Sequence, residues 1–250
     1  MKILDPREMK IEELAYHETP LGELILRRRM ETRLQNKEVF EIKLGDDFLM
    51  SSLFSDGERE LSRLGLTGLS GELDVVVGGL GLGYTAATVL ENKMVRSLLV
   101  IELFGEVIDW HRNKFVPLGA LLSEDVRCEL RQGDFFELAK TGFDVSANPR
   151  QFDAVLLDID HSPRHFLDDK NQSFYGAENL GSLGRQIKEN GIFALWSNEA
   201  PDEKFTEHLA AVFGTATAHT IEFTNPYNNS TALNSVYVAR KRLRSNLDGQ

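Results

Sequence analysis

The sequence predicts an α/β fold: a parallel, Rossmann-like sheet with helices on both faces, preceded by a small β-strand region. Three observations carry this expectation. From Leu73 onward, continuous apolar runs (LDVVVGG, SLLVIEL, FDAVLLDID, GIFALWSN) alternate with helical stretches. Unbroken apolar strands are those buried on both faces of a covered parallel sheet. The first run ends in a glycine-rich turn that leads into a helix, and the chain closes with HTIEF (219–223) and NSVYVAR (234–240), which read as an antiparallel pair.

Before Leu73 the pattern differs. GELILRR (22–28), VFEIKLGDD (39–47) and FLMSSLF (48–54) are short runs of β-branched and aromatic residues, punctuated by Gly22 and Gly45-Asp46-Asp47. They read as antiparallel strands joined by turns. Ser55-Asp56-Gly57-Glu58 opens an amphipathic helix with Leu61 and Leu64 on one face. Farther on, VRCELRQGD reads as another strand of the parallel set. Lys188-Glu189-Asn190-Gly191 reads as a helix C-terminus with a left-handed glycine stop. Pro201 starts the amphipathic helix PDEKFTEHLAAVFG, and LRSNLDGQ is a polar tail. The expected division is residues 1–66 as a small β-strand domain, 67–240 as a Rossmann-like domain and 241–250 as tail.

A chain of 250 residues, 42% hydrophobic, suits one large domain or one domain with a small extension. Its single cysteine, Cys128, cannot form an internal disulfide and reads as a buried, inert thiol in a reducing compartment. No run approaches the ~20 apolar residues of a membrane span. The charged N-terminus lacks the apolar core of a signal peptide. The expectation is a soluble, cytoplasmic protein with no membrane contact. A net charge of −11 repels phosphate backbones and speaks against nucleic acid. The run Arg27-Arg28-Arg29 reads as a solvated strand end.

The strongest local signal is VVVGGLGLGYT (75–85). Glycines let the backbone turn sharply and let a ligand approach the peptide planes. Glu102 ends the next strand, 19 residues after Gly83, where a carboxylate accepts from both hydroxyls of a ribose. Gly133-Asp134-Phe135-Phe136 ends the third strand. Asp134 either accepts from an adenine amino group, with Phe135 flanking the base, or caps the short helix FFELAK; the two roles are compatible. A nicotinamide site is disfavoured, because GGLGLG lacks the spacing of the dinucleotide fingerprint and the terminal antiparallel pair is typical of adenosylmethionine-type folds.

Taken together, VVVGGLGLGYTA, VIELFGEVIDW, GDFFEL, FDAVLLDIDHSP and SFY, in this order, resemble the spermidine synthase (polyamine aminopropyltransferase) family and its looser spermidine-synthase-like branch, over roughly residues 20–240. The resemblance implies the methyltransferase-type Rossmann-like fold: a seven-stranded sheet with an antiparallel last strand, plus a small N-terminal β-domain. It implies transfer of an aminopropyl group from decarboxylated S-adenosylmethionine to putrescine or a related amine. By the same resemblance Gly78, Gly79 and Gly81 are the cofactor loop, Glu102 the ribose acid, Asp134 the adenine reader, Asp158 the catalytic base and Tyr175 a tyrosine near the amine. Asp160 is the substitute for a second amine-binding aspartate. A homodimer through the N-terminal strands is compatible with the family.

Several positions depart from the family pattern. Asp158-Ile159-Asp160-His161-Ser162-Pro163 stands for Asp-Ser-Ser-Asp-Pro. Leu80 or Leu82 replaces an aspartate of the loop, Met50 a glutamine near the cofactor tail, and Glu58-Arg59-Glu60 a Tyr-His-Glu helix start. The changes fall in the substrate pocket more than in the nucleoside pocket.

Aminopropyl transfer needs a neutral amine, so a base must take its proton. Asp158, at a strand end facing the crevice, suits that role, with Tyr175 orienting a small cationic amine. Asp168 and Asp169 read as a solvated loop. His161 and His165 read as ordinary loop histidines, and no metal is expected. Asn225-Pro226-Tyr227 reads as a turn, and Trp110 and Trp196 as packing residues. The alternatives are a methyltransferase using intact S-adenosylmethionine and a non-catalytic adenosyl-binding scaffold.

Overall fold

A computed structural model describes residues 11–144, 146–159 and 162–242. The polar tail 243–250 and Asp160 and His161 lie outside the described residues.

The N-terminal part is a four-stranded antiparallel meander: β1 (Ile11–Thr19), β2 (Gly22–Glu31), β3 (Lys37–Leu44) and β4 (Asp47–Ser51). Strand β1, IEELAYHET, was not anticipated, because three glutamates mask its alternation. It pairs with β2 across the Gly22 turn. The Arg27-Arg28-Arg29 run is no solvated strand end. It lies within β2, where alternate side chains reach opposite faces. Arg27 and Arg29 pair with Glu41 at 2.7 and 2.9 Å, and Arg28 pairs with Glu12 at 2.5 Å.

A seven-stranded sheet follows, built from β5 (Leu73–Gly78), β6 (Val95–Glu102), β7 (Cys128–Gln132), β8 (Phe152–Leu157), β9 (Ile187–Ser197), β10 (Gly214–Thr224) and β11 (Thr231–Lys241). Their order is β10-β11-β9-β8-β5-β6-β7. Strands β5 to β9 are mutually parallel, and β11 runs antiparallel to both of its neighbours. This is the expected architecture. Alternation sorts the apolar strand residues to two faces. Val75, Val77, Leu156 and Ala194 face α1 (Asp56–Leu66), α2 (Tyr84–Glu91) and α3 (Gly105–Arg112). Val76, Val155, Leu157 and Phe193 face α5 (Phe135–Thr141), α6 (Ala177–Arg185) and α7 (Glu203–Phe213). The remaining helix, α4 (Gly119–Glu124), buries Leu122 against the first face. Each buried large side chain contributes roughly 1.5–3 kcal/mol. The small sheet shares the first core through Leu24, Leu26 and Ile42.

Two local expectations are corrected. Lys188–Gly191 is not a helix end: α6 stops at Arg185, Ile187 already pairs with Phe152, and Asn190, not the glycine, takes positive φ (63°) at an irregularity of the β8–β9 pairing. Helix α7 is started by Asp202, which accepts from the amides of Lys204 and Phe205; Pro201 precedes the cap. Helix α1 falls within the 1–66 division, yet it packs on α2, β8, β9 and β11 of the larger part. Cys128 is half-buried at the start of β7, and desolvation pushes its thiol up to about 12. Among the described residues no helix is long and apolar enough to cross a membrane.

Candidate active site

A cavity opens at the carboxyl ends of β5, β6 and β8, where the strand order reverses. Such switch points are where open α/β sheets bind ligands. Its far wall comes from the small sheet, through Leu21, Ile42, Leu49 and Met50.

The glycine turn forms one rim. Gly79, at φ +92°, admits no side chain, since a Cβ there would collide with the Asp158 carbonyl oxygen. The turn is tied down by three side chains. Glu102 Oε2 accepts from the Leu80 amide at 2.9 Å, Met50 Sδ accepts from the Leu82 amide at 2.8 Å, and His111 Nε2–H donates to the Gly81 carbonyl at 2.8 Å. His111 is fully buried, and desolvation pushes it down to about 4, so it stays neutral. Sequence reasoning missed His111; its only signal was a histidine on the apolar face of α3.

Glu102 lines the cavity, as does Asp134. Glu102 is 8% exposed, and its other oxygen accepts from the Phe104 amide at 2.9 Å. Desolvation raises its pKa, and the amides of Phe104 and Leu80 oppose that rise. Asp134 caps α5 through Oδ1, which takes the amides of Phe136 (2.9 Å) and Glu137 (3.3 Å). Phe135 borders the cavity but is 1% exposed. It packs edge-on against Phe136 and under Gly78, where a Cβ would collide with its ring.

Asp158 directly follows β8, lines the cavity and accepts from the Thr85 hydroxyl at 2.6 Å. Desolvation raises its carboxyl despite that bond. Beside it lies Glu58 from the first turn of α1, 8% exposed. Desolvation and the Asp158 charge raise Glu58 strongly. Among the described residues, neither acid has a salt bridge. Glu58 had been counted only as a departure from the family pattern. The missed signal was its spacing: it lies three and four residues before Leu61 and Ser62, both fully buried. The buried stripe of α1 runs through Gly57, Glu58, Leu61, Ser62, Gly65 and Leu66, so Leu64 is not its centre.

Tyr175 is not among the residues lining the cavity. It is 9% exposed and packs against Phe166, Phe174 and Phe205. Asp168 does line the cavity, contrary to the solvated-loop expectation, because it caps the 3-10 turn Asp169–Tyr175 and is carried inward; Asp169 is exposed. Trp196 lines the cavity, and Trp110 is buried in the core. The cavity acids are thus Glu58, Glu102, Asp134, Asp158 and Asp168, and no Lys, Arg or His side chain lines it among the described residues. Those residues include no group of three or more His, Cys, Asp or Glu that could hold a metal ion.

No family model matches the chain. It is 24% identical over 149 residues to a polyamine aminopropyltransferase of Pyrobaculum aerophilum, covering 59% of this chain and 49% of the relative. It is 25% identical over 119 residues to a polyamine aminopropyltransferase of Bacillus mycoides, covering 48% of this chain and 38% of the relative. The matched part thus spans half or less of these relatives. Among solved structures, a spermidine synthase in complex with the transition-state analogue AdoDATO superposes with a TM-score of 0.71 at 17% identity, over 93% of this chain and 75% of that one. The spermidine synthase from Thermotoga maritima gives 0.69 at 17% identity, over 93% and 74%. These neighbours share the fold, and the resemblance read from the sequence motifs points to the same proteins.

Proposed function

We propose that this chain is a spermidine-synthase-like transferase that moves an aminopropyl group from decarboxylated S-adenosylmethionine to a small cationic amine such as putrescine. The observation that carries the reading is the acidity of the cavity: five carboxyl groups and no cationic side chain among its described lining. Such a cavity attracts an ammonium and repels the carboxylate of intact S-adenosylmethionine. The same feature weighs against methyl transfer from the intact cofactor.

Gly78, Gly79 and Gly81 would pass under the nucleoside, with Glu102 exchanging a loop amide for the ribose hydroxyls and Asp134 reading the adenine while it caps α5. Asp158 would take a proton from the attacking ammonium. The freed nitrogen lone pair then forms a bond to the carbon next to the sulfonium. The carbon–sulfur bond breaks with its electron pair left on sulfur, and the positive charge passes from sulfur to the new secondary ammonium. Holding amine and cofactor together supplies much of the acceleration. Tyr175 would act through its aromatic packing on Phe166, Phe174 and Phe205, since it does not line the cavity.

Calorimetric titration with decarboxylated and with intact S-adenosylmethionine tests the reading. Preference for the decarboxylated form supports aminopropyl transfer, to be followed by product detection with putrescine. Preference for the intact form replaces it with methyl transfer. Binding of neither leaves a scaffold.

A further inference from the structure

Glu58 has no part in the transfer step, yet its placement is unusual. It is an ionisable side chain, 8% exposed, on the buried stripe that α1 forms with Leu61, Ser62, Gly65 and Leu66. It faces the same cavity as Asp158, which arrives from a different element, β8. The Thr85 hydroxyl proton is given to Asp158, and the Ser62 hydroxyl donates to the Thr85 carbonyl. The charges acting on Glu58 are those of Asp158, on the same cavity, and of Asp56 and Arg59 on its own helix. From α2, Tyr84 faces it. β9 and β11 bring the uncharged Trp196 and Asn234 to the start of α1. Arg59 is turned outward, stacked over Tyr84 at 5.0 Å and 3.9 Å from Glu91. A buried carboxylate and a half-buried one on the same cavity, with no salt bridge to either among the described residues, cannot both ionise cheaply,.

We propose that Glu58 and Asp158 hold one proton between them in the free protein and release it when a cationic amine enters, so that the pair, and not Asp158 alone, recognises the acceptor. This rests on the aminopropyl-transfer reading of the same cavity. The balance is simple: the ammonium enters with its own proton, the shared carboxylic proton leaves to solvent, and the pair becomes a dianion around the cation. One of the ammonium protons then passes to Asp158 in the transfer step. Amine affinity rises about tenfold per pH unit while the pair is singly protonated and levels off once it is fully ionised. The raised Glu58 carboxyl places that rise near neutrality.

The test is calorimetry with putrescine on the full chain saturated with 5′-methylthioadenosine, in two buffers of different ionisation enthalpy. The expected result at pH 7 is release of close to one proton by the wild type and none by Glu58→Gln, whose affinity is flat with pH. Putrescine binding without proton release, or equal release by the variant, overturns the proposal and leaves the aminopropyl reading standing. Binding of 5′-methylthioadenosine with no binding of putrescine overturns both. If Glu58→Gln does not fold, Glu58→Ala serves: with that carboxyl gone the pair has no proton to share and proton release falls away. The infrared spectrum of the protein alone gives a ligand-free check. The wild type should show one more protonated-carboxyl band at pH 7 than Glu58→Gln, and equal spectra would overturn the shared proton.

Discussion

In the small sheet, Glu31 and Glu41 are each 2% exposed, and arginines meet both: Arg29 and Arg33 at Glu31, Arg27 and Arg29 at Glu41. At the mouth of the parallel sheet, Glu58 is buried and Asp158 half-buried, with no salt bridge to either among the described residues. Glu31 is held ionised: Arg33 and Arg29, against the effect of burial, pull it down to about 2. Glu58 and Asp158 are pushed the other way by desolvation. Burial is common to both regions, so burial alone does not mark function. The marker is burial without compensation, which the fold tolerates at a cavity where a ligand supplies the missing charge. The small-sheet network also clamps the β10–β11 turn. Tyr227 accepts from Arg29 at 2.7 Å and lies under Arg33 at 4.4 Å, so Asn225-Pro226-Tyr227 is the expected turn with an added structural contact.

The contrast can be broken at several points. The largest effect is expected from Asp158→Asn, which should lower turnover by about 10²–10⁴-fold while calorimetry finds adenosyl affinity nearly unchanged; equal turnover would remove Asp158 from the base role. Glu41→Ala removes the carboxylate of Arg27 and one of the two that Arg29 meets, and should cost about 2–3 kcal/mol in urea unfolding, less than a fully buried pair because Arg27 keeps contact with water and Arg29 keeps Glu31,. Glu102→Ala should weaken every adenosyl ligand alike by ~1.5–3 kcal/mol, and unchanged affinity would refute the ribose assignment. The smallest effect is expected from Tyr227→Phe, about 1 kcal/mol of stability, with adenosyl binding intact.

The pH dependence sharpens the same comparison. Glu31 has a depressed pKa in the fold, so its stabilisation is complete above the ordinary carboxylate value and fades as pH falls through about 2,. Glu58 has a raised one, so the folded state prefers it protonated. Its contribution is complete below the ordinary value and is lost as pH rises toward neutrality and beyond,. Glu58→Gln should therefore gain thermal stability relative to the wild type between pH ~5 and ~8. A constant difference in melting temperature over that range would show that Glu58 is not titrating there.

Much of the fold was legible because burial on both faces of a parallel sheet leaves unbroken apolar runs, and because glycines mark the turn after β5. β1 was hidden by its glutamates, which carry no alternation. The β9 start was misread because Asn190-Gly191 looks the same in a helix stop and in a strand irregularity; only the pairing of Ile187 with Phe152 separates them. Glu102, Asp134 and Asp158 were legible in the site because each ends a strand or follows one at the sheet's carboxyl edge. Glu58 and His111 were not, since both come from helices on one face of the sheet and meet the cavity or its glycine rim only after packing.

By itself, the sequence determined the layer order, the position of the glycine turn and the strand-end acids, because these follow from periodicity and backbone conformation within a few residues of one another. Only the tertiary structure decided which acids are paired. The three arginines of β2 and the acid at the start of α1 look equally exposed as a string. Whether a carboxylate meets a cation depends on strand register and helix packing between segments far apart in the chain.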